Sequence, residues 1–427
     1  MDSRINALQS FLDSAHSVYH AVAALAQRLE QAGYCRLHEA GSWELLPGGK
    51  YYLTRNGSAV VAFRIPAGTP KGFLISASHA DRPCFKVKEN GVLTGAYTRV
   101  AVERYGGMLI APWLDRPLSV AGRVLVETET GVESRLVDID RDLLLIPNVA
   151  IHMNRSANDG YKWNPATDTI PLLGGKDASD KFWKEIETLA GGKILGHDLY
   201  LYVRQRSAVW GMEGEFISSA TLDDLECAWG CTEGFLQAKD TANIPVLSVF
   251  DSEEVGSSSY QGAASDLLAS TVSRICNALG LESSRVLAGS FLVSADNAHA
   301  LHPNHPELAD AANAPVMNGG VVIKFNANQR YTSDGVTAAV FRKICNRAGV
   351  PVQTYCNRAD IAGGSTLGNI SLSQVAVPSV DIGLPQLAMH SCYETAGVKD
   401  AAYLADAMTA YYSTELELTA DGCYTLL

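Results

Sequence analysis

IPVLSVFDSEEVGS, residues 244–257, sets Glu253 and Glu254 side by side where an apolar run stops. The run is short, rich in valine and bounded by polar residues and Gly256, the pattern of a buried strand. Charged residues mostly sit in water, so two adjacent carboxylates at its end would by default be solubilising. The other apolar runs argue against that default. GFLISAS (72–78) is followed by His79, SFLVSA (290–295) by Asp296, and VPSVDIG (377–383) a little later by His390. Asp223 stands in TLDDL (221–225), ahead of the next such run.

Between these strands lie segments with apolar residues at helical spacing. They are the N-terminal segment to about Gln31, Ser259 to about Leu279, Asp334 to about Arg347, and Asp400 to about Ser413. Strands alternating with helices specify an α/β fold, a mostly parallel sheet flanked by helices. In open sheets of this kind ligands bind beyond the carboxyl ends of the strands, where groups distant in sequence converge. Residues 85–219 differ: VAVERYGGMLI, SVAGRVLVETET, ESRLVDI and HDLYLYVRQ read as strands and hairpins, with helix only around Lys181–Leu189. The expected organisation is one main domain from 1–84 and 220–427, with a β-rich insertion over 85–219.

The net charge of −12 disfavours nucleic acid and anionic membrane surfaces as partners. No apolar stretch approaches the roughly 20 residues of a membrane span, and the amphipathic N-terminus lacks the apolar core of a signal peptide. Nine scattered cysteines, an odd number, fit a reducing cytoplasm better than a disulfide framework. Cys227 and Cys231 have no second close pair to complete a zinc site, so they read as buried thiols.

If Asp223, Glu253, Glu254 and Asp296 share one cleft, each like-charged pair at about 4 Å repels by about 4 kcal/mol at an effective dielectric near 20. Such a cluster requires cations. Two Zn²⁺ ions and a bridging hydroxide bring three coordinating carboxylates close to neutrality, so two metals fit better than one. One carboxylate must then bridge the ions. Asp223 is the candidate bridge, with His79 and Asp296 completing one ion and Glu254 and His390 the other. Asp81, two residues beyond His79, returns to the same face in extended chain, where it can orient the imidazole. Adjacent residues in extended chain point apart, so Glu254 is assigned to the metal and Glu253 to proton transfer from the attacking water to the leaving nitrogen.

With these residues the sequence resembles the aspartyl aminopeptidase family of co-catalytic metallopeptidases. SHADRPCFKVK is similar to its His-x-Asp-x-Pro block, and TLDDL, DSEEVGS, SADNAHALHPN, GGVVIKFNANQRY, GGSTLGNIS and IGLPQLAMHS follow in the family's order. The resemblance implies removal of N-terminal Asp or Glu from peptides, with His79, Asp223, Glu254, Asp296 and His390 as ligands and Glu253 as base. It implies that the insertion mediates dimer contacts within a tetrahedral dodecamer, and that His152, in IPNVAIHMNR, reaches a neighbour's site to bind the substrate carbonyl and stabilise the oxyanion. It also implies Lys324 and Tyr331 as partners of the substrate's acidic side chain, for which a buried carboxylate needs a paired charge and hydrogen bonds. Without the resemblance Lys324 would pass as a solvated strand lysine. Ala80, Arg82, Asp224 and Cys392-Tyr393 depart from the family pattern, and Arg82 and Asp224 bring charge near the ligands.

Zinc is the first expectation for the two divalent ions, with manganese or cobalt also compatible with N/O ligands. Two rival readings remain. One keeps the metal site but makes the substrate an acylated amino acid or a C-terminal residue; the other is an inactive assembly or cargo-binding homologue. His299, His302 and His305 are set aside as a metal site, because Pro303 and Pro306 interrupt any helix that would align them.

Overall fold

The computed structural model describes residues 3–361, 363–364 and 366–427, so Ser365 of the GGSTLGNIS block and the first two residues of the N-terminal segment lie outside the described residues. Its largest sheet has nine strands. In spatial order they are Cys35–Arg36, Lys50–Arg55, Ala59–Arg64, Ile244–Phe250, Phe73–His79, Phe291–Ala295, Ser379–Gly383, Val321–Phe325 and Val352–Cys356. The central four, Ile244–Phe250 to Ser379–Gly383, are mutually parallel. Antiparallel pairing is confined to either side of that block. The chain crosses from Phe73–His79 to one neighbour and then returns to the other, so a topological switch point lies at the carboxyl end of this strand.

Alternate residues of the central strands face two different apolar layers, as the period of two requires. Leu247, Val249, Phe291 and Val293 pack on one side with helices Val18–Gln31, Leu225–Gln237, Gly335–Ala348 and Asp400–Tyr412. Phe73, Ile75, Val246 and Leu292 pack on the other with Leu267–Ala278 and Leu367–Gln374. Burying each such phenylalanine contributes about 1.5–3 kcal/mol, and the strands are thereby fixed in a register that sets Phe250 beside His79 and Ala295 beside Ile382.

The helices differ from the sequence reading at several places. The N-terminal segment is two helices, Ser3–Leu12 and Val18–Gln31, because the Ser17 side chain caps the second by accepting from the His20 amide. The helix expected from Ser259 starts at Leu267: the preceding residues form turns in which a side chain on Gly262 would meet the Ser257 carbonyl oxygen at 2.3 Å. Leu225–Gln237 was not anticipated, since its two glycines mask the periodicity. There, Gly230 and Gly234 allow close approach to Leu404 and Met408 of helix Asp400–Tyr412.

Cys84–Leu93, Tyr97–Tyr105, Leu118–Glu127, Val132–Asp138, Leu172–Gly175 and Ile194–Val203 form a separate six-stranded antiparallel sheet. The chain leaves it through Ala208–Trp210 and Phe216–Ser219, which join Glu394–Gly397, Pro385–Leu387 and Ala298–His299 in a third sheet. That third sheet ties the return from residue 203 to the segment that follows His390. No helix among the described residues is long and apolar enough to cross a membrane.

Candidate metal centre

The parallel strands deliver their terminal residues to one place. His79 closes Phe73–His79, Glu253 and Glu254 follow Ile244–Phe250, and Asp296 follows Phe291–Ala295. Asp223 precedes helix Leu225–Gln237, and His390 lies in a left-handed conformation (φ 66°) after Pro385–Leu387. Three groups of donor atoms, each mutually within 4.8 Å, result: His79 with Asp223 and Asp296, His79 with Glu253 and Glu254, and Asp223 with Glu254 and His390. Asp223 faces both imidazoles, with Oδ1 at 3.7 Å from His79 Nε2 and Oδ2 at 3.5 Å from His390 Nε2. Glu254 Oε2 lies 3.4 Å from the same His390 nitrogen.

Both rings are oriented from behind. His79 Nδ1 lies 3.0 Å from the Asp81 carbonyl oxygen, and His390 Nδ1 lies 2.7 Å from the Gly107 carbonyl oxygen. A ring nitrogen that donates to a carbonyl leaves Nε2 as the lone-pair donor, the arrangement of metal-ligating histidines. The Asp81 carboxylate is farther from His79, at 3.4 Å, and has other work. Its Oδ1 accepts from the Glu253 amide, and its Oδ2 from the Glu254 amide and the Tyr105 hydroxyl. Asp81 thus fixes the turn that carries the glutamates as well as approaching the imidazole.

The two glutamates do not stand in extended chain. They open a 3₁₀ turn, Glu253–Val255, after Ser252 in a left-handed conformation (φ 65°), so alternation does not separate their directions. What separates them is company: Glu254 also joins Asp223 and His390, and Glu253 does not.

Electrostatics fit a cation. Burial pushes Glu253 up to about 8 and Glu254 and Asp296 upward as well. Burial opposes protonation of His390, but Asp223 and Glu254 together raise it to about 10. Asp223 alone is lowered, with His390 and His79 outweighing its burial. Asp223 Oδ1 and Glu254 Oε1 are buried with no hydrogen-bond donor among the described residues. Buried carboxylate oxygens are costly without a partner, and the mixed N/O set suits zinc.

The remaining sequence candidates are placed as follows. Lys324 is not solvated: it is 2% exposed, and its ammonium donates to the Asp296 carbonyl at 2.7 Å, 3.7 Å from that residue's Oδ1. The ring of the buried Tyr331 lies 5.3 Å from it. His152 is exposed in a turn between strands Val132–Asp138 and Leu172–Gly175 and joins none of the three donor groups. Arg82 turns away, donating to the carbonyls of Ala15 and His16. Asp224 accepts from the His79 amide, and burial pushes its carboxyl well above the usual range. His299, His302 and His305 take part in no donor group among the described residues, and Cys227 is a buried thiol that donates to Asn297 Oδ1.

Sequence reasoning missed Tyr105, Gly107 and Glu394. The amides of Leu222 and Asp223 donate to Glu394 Oε2, and the amide of His390 to Oε1. The only signal was position, Glu394 standing four residues after His390.

A parallel α/β sheet whose strand ends converge on imidazoles and carboxylates defines a metal-dependent hydrolase architecture. The chain belongs to the M18 aminopeptidases: the family model described as "Aminopeptidase I zinc metalloprotease (M18)" matches residues 11–412. The chain is similar to a probable M18 family aminopeptidase 2 from Clostridium novyi, 41% identical and covering 96% of this chain and 98% of the relative. A protein of the same description from Pseudomonas paraeruginosa is 42% identical, over 95% and 97% respectively. Among solved structures, the Ape4 and Nbr1 complex aligns with a TM-score of 0.92 at 35% identity, covering 96% of this chain and 85% of that one. The S. cerevisiae mApe1 dodecamer aligns with a TM-score of 0.84 at 28% identity, covering 96% of both. The chain is therefore an aminopeptidase of a zinc metalloprotease family.

Proposed function

We propose that the protein removes N-terminal aspartate or glutamate from peptides with the help of two divalent metal ions. The observation that carries the two-ion reading is Asp223, whose two oxygens face different imidazoles. His79 and Asp296 would hold one ion and Glu254 and His390 the other, with Asp223 shared. Zinc bound there supplies Lewis-acid polarisation of the scissile carbonyl and activation of water at neutral pH. Glu253, left outside the shared groups containing Asp223, takes the proton of the attacking water and returns it to the departing amine. Its upward-shifted carboxyl suits both halves of that transfer.

Lys324 and Tyr331 lie beside Asp296, and their ammonium and phenol match an acidic first side chain. The inserted sheet, with 85–219 as its domain, serves dimer contacts in a larger assembly. Exposed Val149, Ile151 and Met153 flank His152 in support of a face covered by another copy, from which His152 reaches the neighbour's substrate. A structural relative forms a dodecamer, and the same assembly is proposed here. All nine cysteines are free thiols, which agrees with the cytoplasm.

The test is a panel of peptides differing only in the first residue, assayed with and without added zinc, manganese or cobalt. Turnover confined to Asp and Glu peptides, lost on chelation and on blocking the amino group, is expected. Equal turnover of Leu and Asp peptides refutes the acidic preference, and turnover of the blocked peptide moves the protein to the acylase class.

A further inference from the structure

We infer that Glu394 is a positioning residue that locks Asp223 and His390 into one arrangement and so sets zinc affinity; this rests on the reading of those two residues as ligands. Asp223 and His390 belong to loops separated by more than a hundred and fifty residues of chain. Asp223 sits in the turn before helix Leu225–Gln237, and His390 occupies a backbone conformation that non-glycine residues seldom adopt unless the surroundings enforce it. The Glu394 side chain contributes to that enforcement and ties it to Asp223. It is 2% exposed, and its two oxygens divide between the loops: Oε2 accepts from the amides of Leu222 at 2.8 Å and Asp223 at 2.9 Å, and Oε1 from the amide of His390 at 2.8 Å.

The strand that carries Glu394 pairs Ser219 with it, so the clamp is built onto the sheet leading to Asp223. On the far side of His390 the Leu109 amide donates to its carbonyl and Gly107 accepts from its ring. Three donors converging on one carboxylate demand acceptors at both oxygens. A glutamine meets this at one oxygen only, and its amide group would face an N–H at the other. Outer groups that orient metal ligands typically govern affinity by about 10–100-fold.

The experiment measures zinc dissociation constants by competition with a chromophoric chelator for wild type, Glu394→Gln, Glu394→Asp, Asp223→Asn and His390→Ala, each below its melting temperature. Ile275→Val, in the core of helix Leu267–Ala278, serves as a control for general destabilisation. Glu394→Gln is expected to weaken zinc binding at least tenfold while Ile275→Val leaves it unchanged. Glu394→Asp keeps two carboxyl oxygens but is too short to span both loops, and it gives the same loss if Glu394→Gln does not fold. Wild-type zinc affinity in the Glu394 variants, with loss in Asp223→Asn and His390→Ala, overturns the clamp. Retained affinity in the latter two variants overturns the ligand reading itself.

Discussion

At the scale of single residues, the division of labour between neighbours is the sharpest question. Glu253 and Glu254 share a 3₁₀ turn pinned by Asp81, yet only Glu254 meets Asp223 and His390. Glu253→Gln is therefore expected to lower kcat by about 10²–10⁴-fold with zinc content unchanged, whereas Glu254→Gln loses metal; steady-state kinetics beside elemental analysis separates them. Equal metal loss in both variants would make Glu253 a ligand. Asp224 tests a different idea. Burial pushes its carboxyl well above the usual range, so ionising it costs the folded state. Asp224→Asn is expected to fold with near wild-type activity and to unfold at a higher temperature than wild type at pH 8, read by calorimetry. Of the residues that converge on the candidate centre, His79, Glu253, Glu254 and Asp296 were legible because each closes or follows an apolar run, while Asp223 and His390 stand in loops and lean on the resemblance of their blocks. Glu394, Tyr105 and Gly107 were not, because their work is to bond main-chain atoms or to offer a carbonyl, which no side-chain pattern encodes.

At the scale of elements, legibility followed amphipathicity. Helix Gly335–Ala348 was legible through its period, and the structure bounds it with an Asp334–Thr337 capping box and a left-handed Gly349. Helix Leu225–Gln237 is buried on nearly every side, so it shows no polar stripe, and Gly230 and Gly234 read as breaks. Those glycines are contact points. A Cβ at Gly234 would sit 2.3 Å from the Met408 Cβ, with backbone of the same helix close by. Gly234→Ala gains about 1 kcal/mol of helix propensity but forces the two helices apart at a cost of about 1–3 kcal/mol. Net destabilisation is expected in urea unfolding; a stabilised variant would mean that the helices separate without penalty.

Helix Val18–Gln31 carries a pH dependence. Burial lowers His20 from 6.5 to about 4, and its Nδ1 lies 2.8 Å from the capping Ser17 hydroxyl. A depressed imidazole pKa means that the unfolded chain binds a proton the folded chain refuses. Its contribution is complete above pH 6.5 and is lost as pH falls towards 4. His20→Gln is thus expected to lose less stability than wild type between pH 7 and pH 4. Parallel curves for the two proteins would remove the assignment.

At the scale of the molecule, the inserted sheet reaches into the metal centre. Its strand Tyr97–Tyr105 ends on Tyr105, which donates to Asp81, and the next residues hold His390 through Gly107 and Leu109. Sequence patterning separated the insertion from the α/β core through its hairpins but gave no hint of this seam, since the Tyr-Gly-Gly step looks like an ordinary turn. The inserted sheet is therefore hydrogen-bonded both to His390 and, through Asp81, to the turn carrying Glu253 and Glu254. The same sheet leads to the turn where Ile151 is 49% and Met153 82% exposed. If another copy covers it, Met153→Asp is expected to reduce the mass seen by light scattering and to lower turnover, although every ligand remains in place. His152→Phe is expected to preserve the mass and lower turnover alone. A dissociated Met153→Asp enzyme with full activity would show that no neighbour contributes to the reaction, and a wild-type mass of a single chain would remove the assembly itself.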